Sequence, residues 1–419
     1  MSPPRPLRSS LLKNWFAIEV LVWTKSNPTP WNTIQPGEQT KLLTINQKFD
    51  KRFADLRFLQ DDWSTLQGLL QLPVIVFGAG TFANQYNSDD YLESTLPVRT
   101  VRLALRYGIR AFDTSVYYGP SEIVLGNALQ AVKDEFPRSS YKLITKCGRF
   151  GRSDFDYSPS RIRESVKRSL ERLQTDYLDV VFLHDVEFVS TPVAPRTTGN
   201  NLSALAEESA AYGLADGEES KVWGEGDQKV LDAYAELRKL QEEGLVKHIG
   251  ITGYPLPTLL RLALLILHTA PFKPVDVLLS YAHLSLQNGT FAQYAPQLRE
   301  RAKVGQLLAA SPFSMGLLTP SPPSWHPAPA ELSAAVRQAS NVWPQGLPDL
   351  ALGYAIRNTN IHKDVPVVAG FSKPEEVHEC VRVWRELQDG NNQDRKKAED
   401  DVQQIIKDSG YLDWSWASP

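Results

Sequence analysis

Three polar residues stand where short apolar runs end. Asp113 follows Ile109-Arg110-Ala111-Phe112, Lys146 follows Leu143-Ile144-Thr145, and His184 follows Val180-Val181-Phe182-Leu183. A tyrosine, Tyr118, lies five residues past Asp113 in Thr114-Ser115-Val116-Tyr117-Tyr118-Gly119. Together these residue types describe a proton-transfer centre. A phenol titrates near ~10, so it works as an acid or base at neutral pH only if its anion is stabilised. A lysine ammonium nearby does that, and a carboxylate keeps the lysine charged and in place. A neutral histidine holds a substrate oxygen in line without competing for the proton. A lone Asp or Lys after a strand is often a helix cap or faces solvent. Three such residues after successive strands, with a tyrosine between them, point to a site.

Other chemistries find less support. The seven histidines include no HxH or HExxH spacing, so no metal site is expected. No GxSxG elbow would activate Ser115 or Ser121 as a hydrolase nucleophile. The two cysteines, Cys147 and Cys380, exclude a disulfide scaffold and suit a reducing compartment, and Cys147 reads as a plain buried thiol. Phe77-Gly78-Ala79-Gly80-Thr81-Phe82 contains GxG but lacks the third glycine of a dinucleotide-binding turn. Without a supporting motif, His248 and His283 read as structural.

The elements that must position the four residues alternate. Strand-like runs lie at 74–77, 109–112, 142–145, 179–183, 247–251, 275–279, 306–310 and 365–369. Amphipathic segments lie between them. In 161–173, Ile162, Val166, Leu170 and Leu173 recur at helical spacing behind the start residues Pro159 and Ser160. In 229–243, Val230, Tyr234, Leu237 and Leu240 do the same, and Gly244 closes the helix. Eight strands with helices between them predict an α/β fold, a closed (β/α)8 TIM barrel, with catalytic residues on the loops after the strands. Two such loops are long. Residues 186–228 are rich in Gly, Ser and acids and predict a solvated insertion, and 319–347 are proline-rich with Trp325 and Trp343.

Residues 1–71 hold Trp15, Trp23, Trp31 and Trp63 without strand alternation and read as an extension, possessing at most a short helix at 49–67. The barrel is expected over 72–387. Residues 388–419 form a charged segment, the solvated start of a last helix ending near Lys407. With 45 Lys+Arg against 48 Asp+Glu and a net charge of -3, no nucleic-acid partner is expected. The run Leu259 to Leu267 falls short of the ~18 apolar residues of a membrane span and contains Arg261, so it predicts a buried helix and no membrane partner. The apolar stretch Trp15 to Trp23 is interrupted by Glu19 and makes a poor signal peptide; a mitochondrial presequence stays open, and a cytoplasmic protein is expected.

The stretch Phe112-Asp113-Thr114-Ser115-Val116-Tyr117-Tyr118-Gly119-Pro120-Ser121-Glu122, with Ile144-Thr145-Lys146 and Phe182-Leu183-His184-Asp185, resembles the aldo-keto reductase superfamily over roughly residues 72–387. The resemblance implies a (β/α)8 barrel, a nicotinamide cofactor and a catalytic tetrad of Asp113, Tyr118, Lys146 and His184. The family's tyrosine directly precedes the glycine, which selects Tyr118 over Tyr117. Cofactor residues carry over in order. Thr252 and Gly253 stand where the family binds the carboxamide. Ser280 and Tyr281 follow strand six, where many members have a glutamine that is missing here; Tyr281 would stack on the nicotinamide. Ser311, Pro312, Phe313, Met315 and Gly316 match the loop around the pyrophosphate. Gly370, Phe371, Ser372, Lys373, Glu376 and Glu379 match the adenosine end.

Within the superfamily the later motifs are similar to sugar dehydrogenases acting on L-galactose and D-arabinose, and the insert after His184 is similar to that of fungal D-arabinose dehydrogenases. This implies oxidation of the C1 hydroxyl of an aldopyranose to the lactone, with a small sugar as the partner molecule; the oligomeric state is left open. NADP-preferring relatives carry an arginine two residues after the proline of strand eight's loop. Here that position is Glu376, which favours NAD, with NADP use left to Lys373. A general NADPH-dependent aldehyde or ketone reductase, or a cofactor-binding regulatory subunit, are the alternatives.

Overall fold

Each apolar run pairs only with its sequence neighbours, and the last pairs with the first. The computed structural model describes residue 66 and residues 68–416, apart from 362, 363 and 391. The expected helix at 49–67 therefore lies outside the described residues. The strands β1 (Ile75–Gly78), β2 (Ala111–Asp113), β3 (Lys142–Cys147), β4 (Leu178–Leu183), β5 (Val246–Gly253), β6 (Val277–Tyr281), β7 (Gln306–Ala310) and β8 (Val367–Gly370) form one closed parallel barrel. The register puts Gly78 opposite both Asp113 and Gly370, Lys146 opposite Phe182, Gly253 opposite Ser280, and Tyr281 opposite Ala310. The strand ends named from sequence therefore share one rim.

Helices α1 (Leu96–Arg106), α2 (Ser121–Ala131), α3 (Pro159–Leu173), α4 (Glu225–Glu242), α5 (Leu256–Leu267) and α6 (Phe291–Glu300) follow the first six strands. Pro159 opens α3, where a missing N–H costs nothing, and Val230, Tyr234, Leu237 and Leu240 form the buried stripe of α4. Gly244 takes φ 79 just past α4, a left-handed turn that glycine makes without Cβ strain. Helix α5 is apolar nearly all round and buried, as its composition predicts. No helix among the described residues is long and apolar enough to cross a membrane.

Three segments differ from expectation. The 186–228 insertion is not a solvated loop. It makes 3-10 turns at Val186–Phe188, Leu202–Leu205 and Ser209–Tyr212, buries Tyr212 and Leu214, and yields to α4 already at Glu225. The proline-rich connection after β7 contains α7 (Ala330–Ala339) before α8 (Leu347–Ile361) leads into β8. After α9 (Pro374–Gln388), the charged segment becomes α10 (Gln393–Asp408), whose Ala398, Val402 and Ile406 are buried in one core with Leu332, Val336 and Leu350. Most of its charges face outward, but Arg395 and Glu399 are buried and paired with Asp349 and Arg357. At the opposite end of the barrel, Leu70 and Leu72 pack with Val76, Ala111, Ile144, Val180 and Leu308, so the core starts two residues before the sequence boundary at 72.

Candidate active site

Strand β2 ends at Asp113 and β3 carries Lys146 as its penultimate residue, so both side chains enter the rim from adjacent strands. Lys146 is 2% exposed. Its Nζ donates to Asp113 Oδ1 at 2.6 Å and to the Thr114 carbonyl at 2.9 Å. The same ammonium lies 4.9 Å from the centre of the Tyr118 ring. His184 extends the β4 ladder by donating its backbone N–H to the Cys147 carbonyl, and its ring stands perpendicular to that of Tyr118 at 5.7 Å. Ser115 Oγ lies 2.9 Å from His184 Nδ1, which leaves Nε2 to face the site. The four expected catalytic residues are thus brought together. Gly80 of the turn after β1 packs against the Tyr118 ring.

Electrostatics sort the pair. Burial first, then the Lys146 and Arg149 cations, lower the His184 imidazole well below its usual range, so it is neutral at pH 7. Burial first, then the Asp113 and Asp185 carboxylates, push the Tyr118 phenol well above its usual range, with Arg149 pulling the other way. The sequence expectation was that Lys146 would lower this phenol. The net shift is opposite, because burial of the ring and the two carboxylates outweigh the neighbouring cations.

Two residues beside the tetrad had no role in the sequence reading. Arg149, in the loop after β3, forms a buried ion pair through Nη1 with Asp185 Oδ2, the residue after His184. Its guanidinium covers the Tyr117 ring at 4.1 Å. The available signal was the proximity of Arg149 to Lys146 and of Asp185 to His184 in sequence; neither has a periodicity to read. Cys147 and Cys380 are buried free thiols, and burial raises Cys147 beyond any reactive range. His283 lies 3.1 Å from Ser280 Oγ, and burial lowers it to about 3, as suits a structural histidine. Among the described residues no cluster of His, Cys, Asp and Glu could hold a metal ion.

The expected cofactor residues line the other half of the rim, and their chemistry fits a nicotinamide dinucleotide. Thr252 and Gly253 end β5, and Ser280 and Tyr281 end β6. Thr252 is buried at the end of its strand. In the loop after β7, Ser311, Ser314, Met315 and Gly316 take φ 60, 48, 54 and 88. The amides of Ser314, Met315 and Gly316 donate within the loop, to the Ser311 carbonyl, the Ser311 hydroxyl and the Phe313 carbonyl, which fixes these turns. Pro312 and Phe313 complete this loop. At Gly370 a Cβ would meet Thr81 Cγ2 at 2.7 Å, so backbone approaches closely there. Phe371 offers backbone only, since its ring joins Phe77 at 5.3 Å in the core. Ser372 and Lys373 donate their backbone N–H groups to Glu376 Oε2 at 2.5 and 3.1 Å. Glu376 thus caps α9, while Glu379 pairs with Arg382 at 2.8 Å along the same helix.

A closed eight-stranded barrel with this rim defines an oxidoreductase of one class, and comparison places the chain in it. The chain belongs to the aldo/keto reductase family, whose model matches residues 74–399. It is 35% identical over 355 residues to the L-galactose dehydrogenase of Arabidopsis thaliana, covering 82% of this chain and 94% of the relative. It is 32% identical over 361 residues to the D-arabinose 1-dehydrogenase of Saccharomyces cerevisiae, covering 84% of this chain and 96% of the relative. A glycerol dehydrogenase structure from Gluconobacter oxydans shares the fold, with TM-score 0.53 and 18% identity over 84% of this chain and 97% of that one. The chain is an oxidoreductase acting on CH–OH groups, and enzymes of this family use nicotinamide cofactors.

Proposed function

We propose that the protein oxidises the C1 hydroxyl of an aldopyranose, D-arabinose or the similarly configured L-galactose, to the lactone, with NAD as acceptor. The observation that carries this is the buried Lys146–Asp113 pair beneath Tyr118 and opposite neutral His184, in a chain about one-third identical to two sugar dehydrogenases over most of its length. The bound nicotinamide supplies the hydride acceptor. His184 donates from Nε2 to the C1 oxygen and holds it in line. Tyr118 takes the hydroxyl proton as the C1 hydrogen departs with its electron pair, which leaves the C1 carbonyl of the lactone. In the reverse direction the protonated phenol donates to a carbonyl oxygen. Purified protein with D-arabinose and NAD should generate NADH absorbance; absence of turnover with both sugars ends the proposal.

The choice of NAD rests on Glu376. Its carboxylate occupies the two backbone N–H groups at the start of α9 that a 2′-phosphate would otherwise take, and its charge repels one. The ribose hydroxyls of NAD meet no such repulsion, and Lys373 remains exposed nearby. Glu376→Arg should move the ratio of kcat/KM for NAD over NADP toward NADP by about tenfold or more, since one charged hydrogen bond is worth about 1.5–3 kcal/mol. No movement, or a wild type already preferring NADP, would overturn this part.

A further inference from the structure

Beside the tetrad lies an ion pair that the hydride transfer does not use. Arg149 and Asp185 are 5% and 3% exposed; both charges bear on Tyr118 and Tyr281, and that of Arg149 on His184. Taking such a pair out of water costs several kcal/mol per ion, and an apolar replacement is often no less stable, so stability gives little reason for it here. The guanidinium uses four of its five N–H groups: Nη1 on Asp185, Nη2 on Tyr117 Oη at 3.4 Å and the Arg152 carbonyl at 3.3 Å, and Nε on the Gly151 carbonyl at 3.4 Å. Tyr117, Phe155 and Phe188 rings surround it at 4.1, 5.2 and 5.2 Å. Arg149 thus spends nearly all of its donors on fixed protein groups, and what it does is hold a carboxylate still.

That carboxylate is aimed at the reaction. Asp185 Oδ2 lies 3.6 Å from His184 Nε2, the atom assigned to the reacting oxygen, and Oδ1 accepts no hydrogen bond from the described residues. Tyr117 Oη, accepting from Arg149, keeps its own proton to donate. A substrate oxygen held at His184 Nε2 therefore has beside it a carboxylate oxygen 3.6 Å from that nitrogen and a phenol whose ring lies 5.8 Å from the imidazole. We propose that Asp185 and Tyr117, fixed by Arg149, form a hydroxyl-recognition subsite that reads the carbon next to the reacting one, so that the enzyme selects 2-hydroxylated aldehydes and aldoses over plain aldehydes. Arg149 is a positioning residue here. The inference rests on the reading of Tyr118 and His184 as the hydride-transfer centre and adds the substrate feature that the centre selects.

A site built to bond a hydroxyl rejects the analogue that lacks it, because its polar groups are then left unpaired. The test compares kcat/KM for NADH-dependent reduction of glyceraldehyde and of propanal, together with D-arabinose oxidation, in the full chain. Wild type should favour glyceraldehyde strongly. Asp185→Asn should shrink the glyceraldehyde-to-propanal ratio by about ten- to a hundredfold, the range of one charged hydrogen bond. Tyr117→Phe should shrink it several-fold, and serves if Asp185→Asn melts early by circular dichroism. A wild-type ratio near one, or a ratio unchanged in both variants, overturns the inference. Wild type that favours glyceraldehyde yet ignores both sugars removes the lactone-forming reading and leaves the subsite standing. Wild type that oxidises D-arabinose with an Asp185-independent ratio does the reverse.

Discussion

Tyr117 and Tyr118 are neighbours in sequence with rings 5.9 Å apart, yet their surroundings give them different work. Tyr118 stands over the Lys146 ammonium and against His184; Tyr117 lies beneath the Arg149 guanidinium. Tyr118→Phe should lower kcat by about 10²–10⁴-fold, the usual worth of a positioned acid–base group, while cofactor binding measured by fluorescence titration stays close to wild type. Tyr117→Phe should cost less than tenfold on D-arabinose; a larger loss than at Tyr118 would reverse the assignment. The raised phenol also sets a pH dependence. Oxidation needs the deprotonated form, which burial and the Asp113 and Asp185 carboxylates make scarce at neutral pH. Sugar-oxidation kcat/KM should therefore keep rising between pH 7 and pH ~10, the ordinary phenol value, and the slope should vanish in Tyr118→Phe. A plateau below pH 8 would show that the phenol is already ionised. These four residues were legible in the sequence because each ends a strand or starts its loop. The direction of the phenol's shift was not, since it depends on how deeply the folded barrel buries the ring and on carboxylates brought to it from other strands.

Between residues and the barrel stand the insert and the helices it grips. Asp227, in the first turn of α4, receives Arg261 of α5 at 2.7 and 3.0 Å and also accepts the backbone N–H groups of Thr191 and Trp223. Both side chains are almost wholly buried, with exposures of 0% and 4%. Arg261→Ala strands a buried carboxylate and should cost about 3–5 kcal/mol, read as a lower denaturant midpoint. A cost below 1 kcal/mol would mean that the insert is held some other way. Helix α4 was readable from four apolar positions at helical spacing, and β7 from its apolar run to the residue. The order of the insert was not. Its anchors are polar, aperiodic and distant in sequence, so composition reads them as solvation, and Arg261 looked like a mere interruption of an apolar run. The buried stripe of α10 was hidden for a related reason, because Ala398, Val402 and Ile406 are outnumbered by charged residues on its outer faces.

Over the whole molecule, the eightfold alternation made the barrel legible, whereas the closure of its rim was not, because that joins segments from far apart. Trp416 stacks on Tyr254 at 6.0 Å, and Tyr254 meets Tyr281 at 5.3 Å. Trp416→Ala removes the outer member of this aromatic row and should cost about 3 kcal/mol, at the low end for a buried aromatic. Because Tyr281 loses its backing, the Kd for NAD should rise several-fold; unchanged melting and binding would show that the row carries no strain or support. The neighbouring residue has a different significance. Ser415 and Gly199 exchange backbone hydrogen bonds of 2.7 and 2.9 Å, tying the insert after β4 to the far C-terminal segment. During synthesis the insert emerges while its partner has yet to be made, so this tie forms only after every barrel strand has left the ribosome. Long-range pairings of this kind are late in folding and are natural first points of partial opening. Sharing one bridge, the amides of Gly199 and Ser415 should exchange with deuterium at a common rate, and a ligand spanning the rim should slow both together.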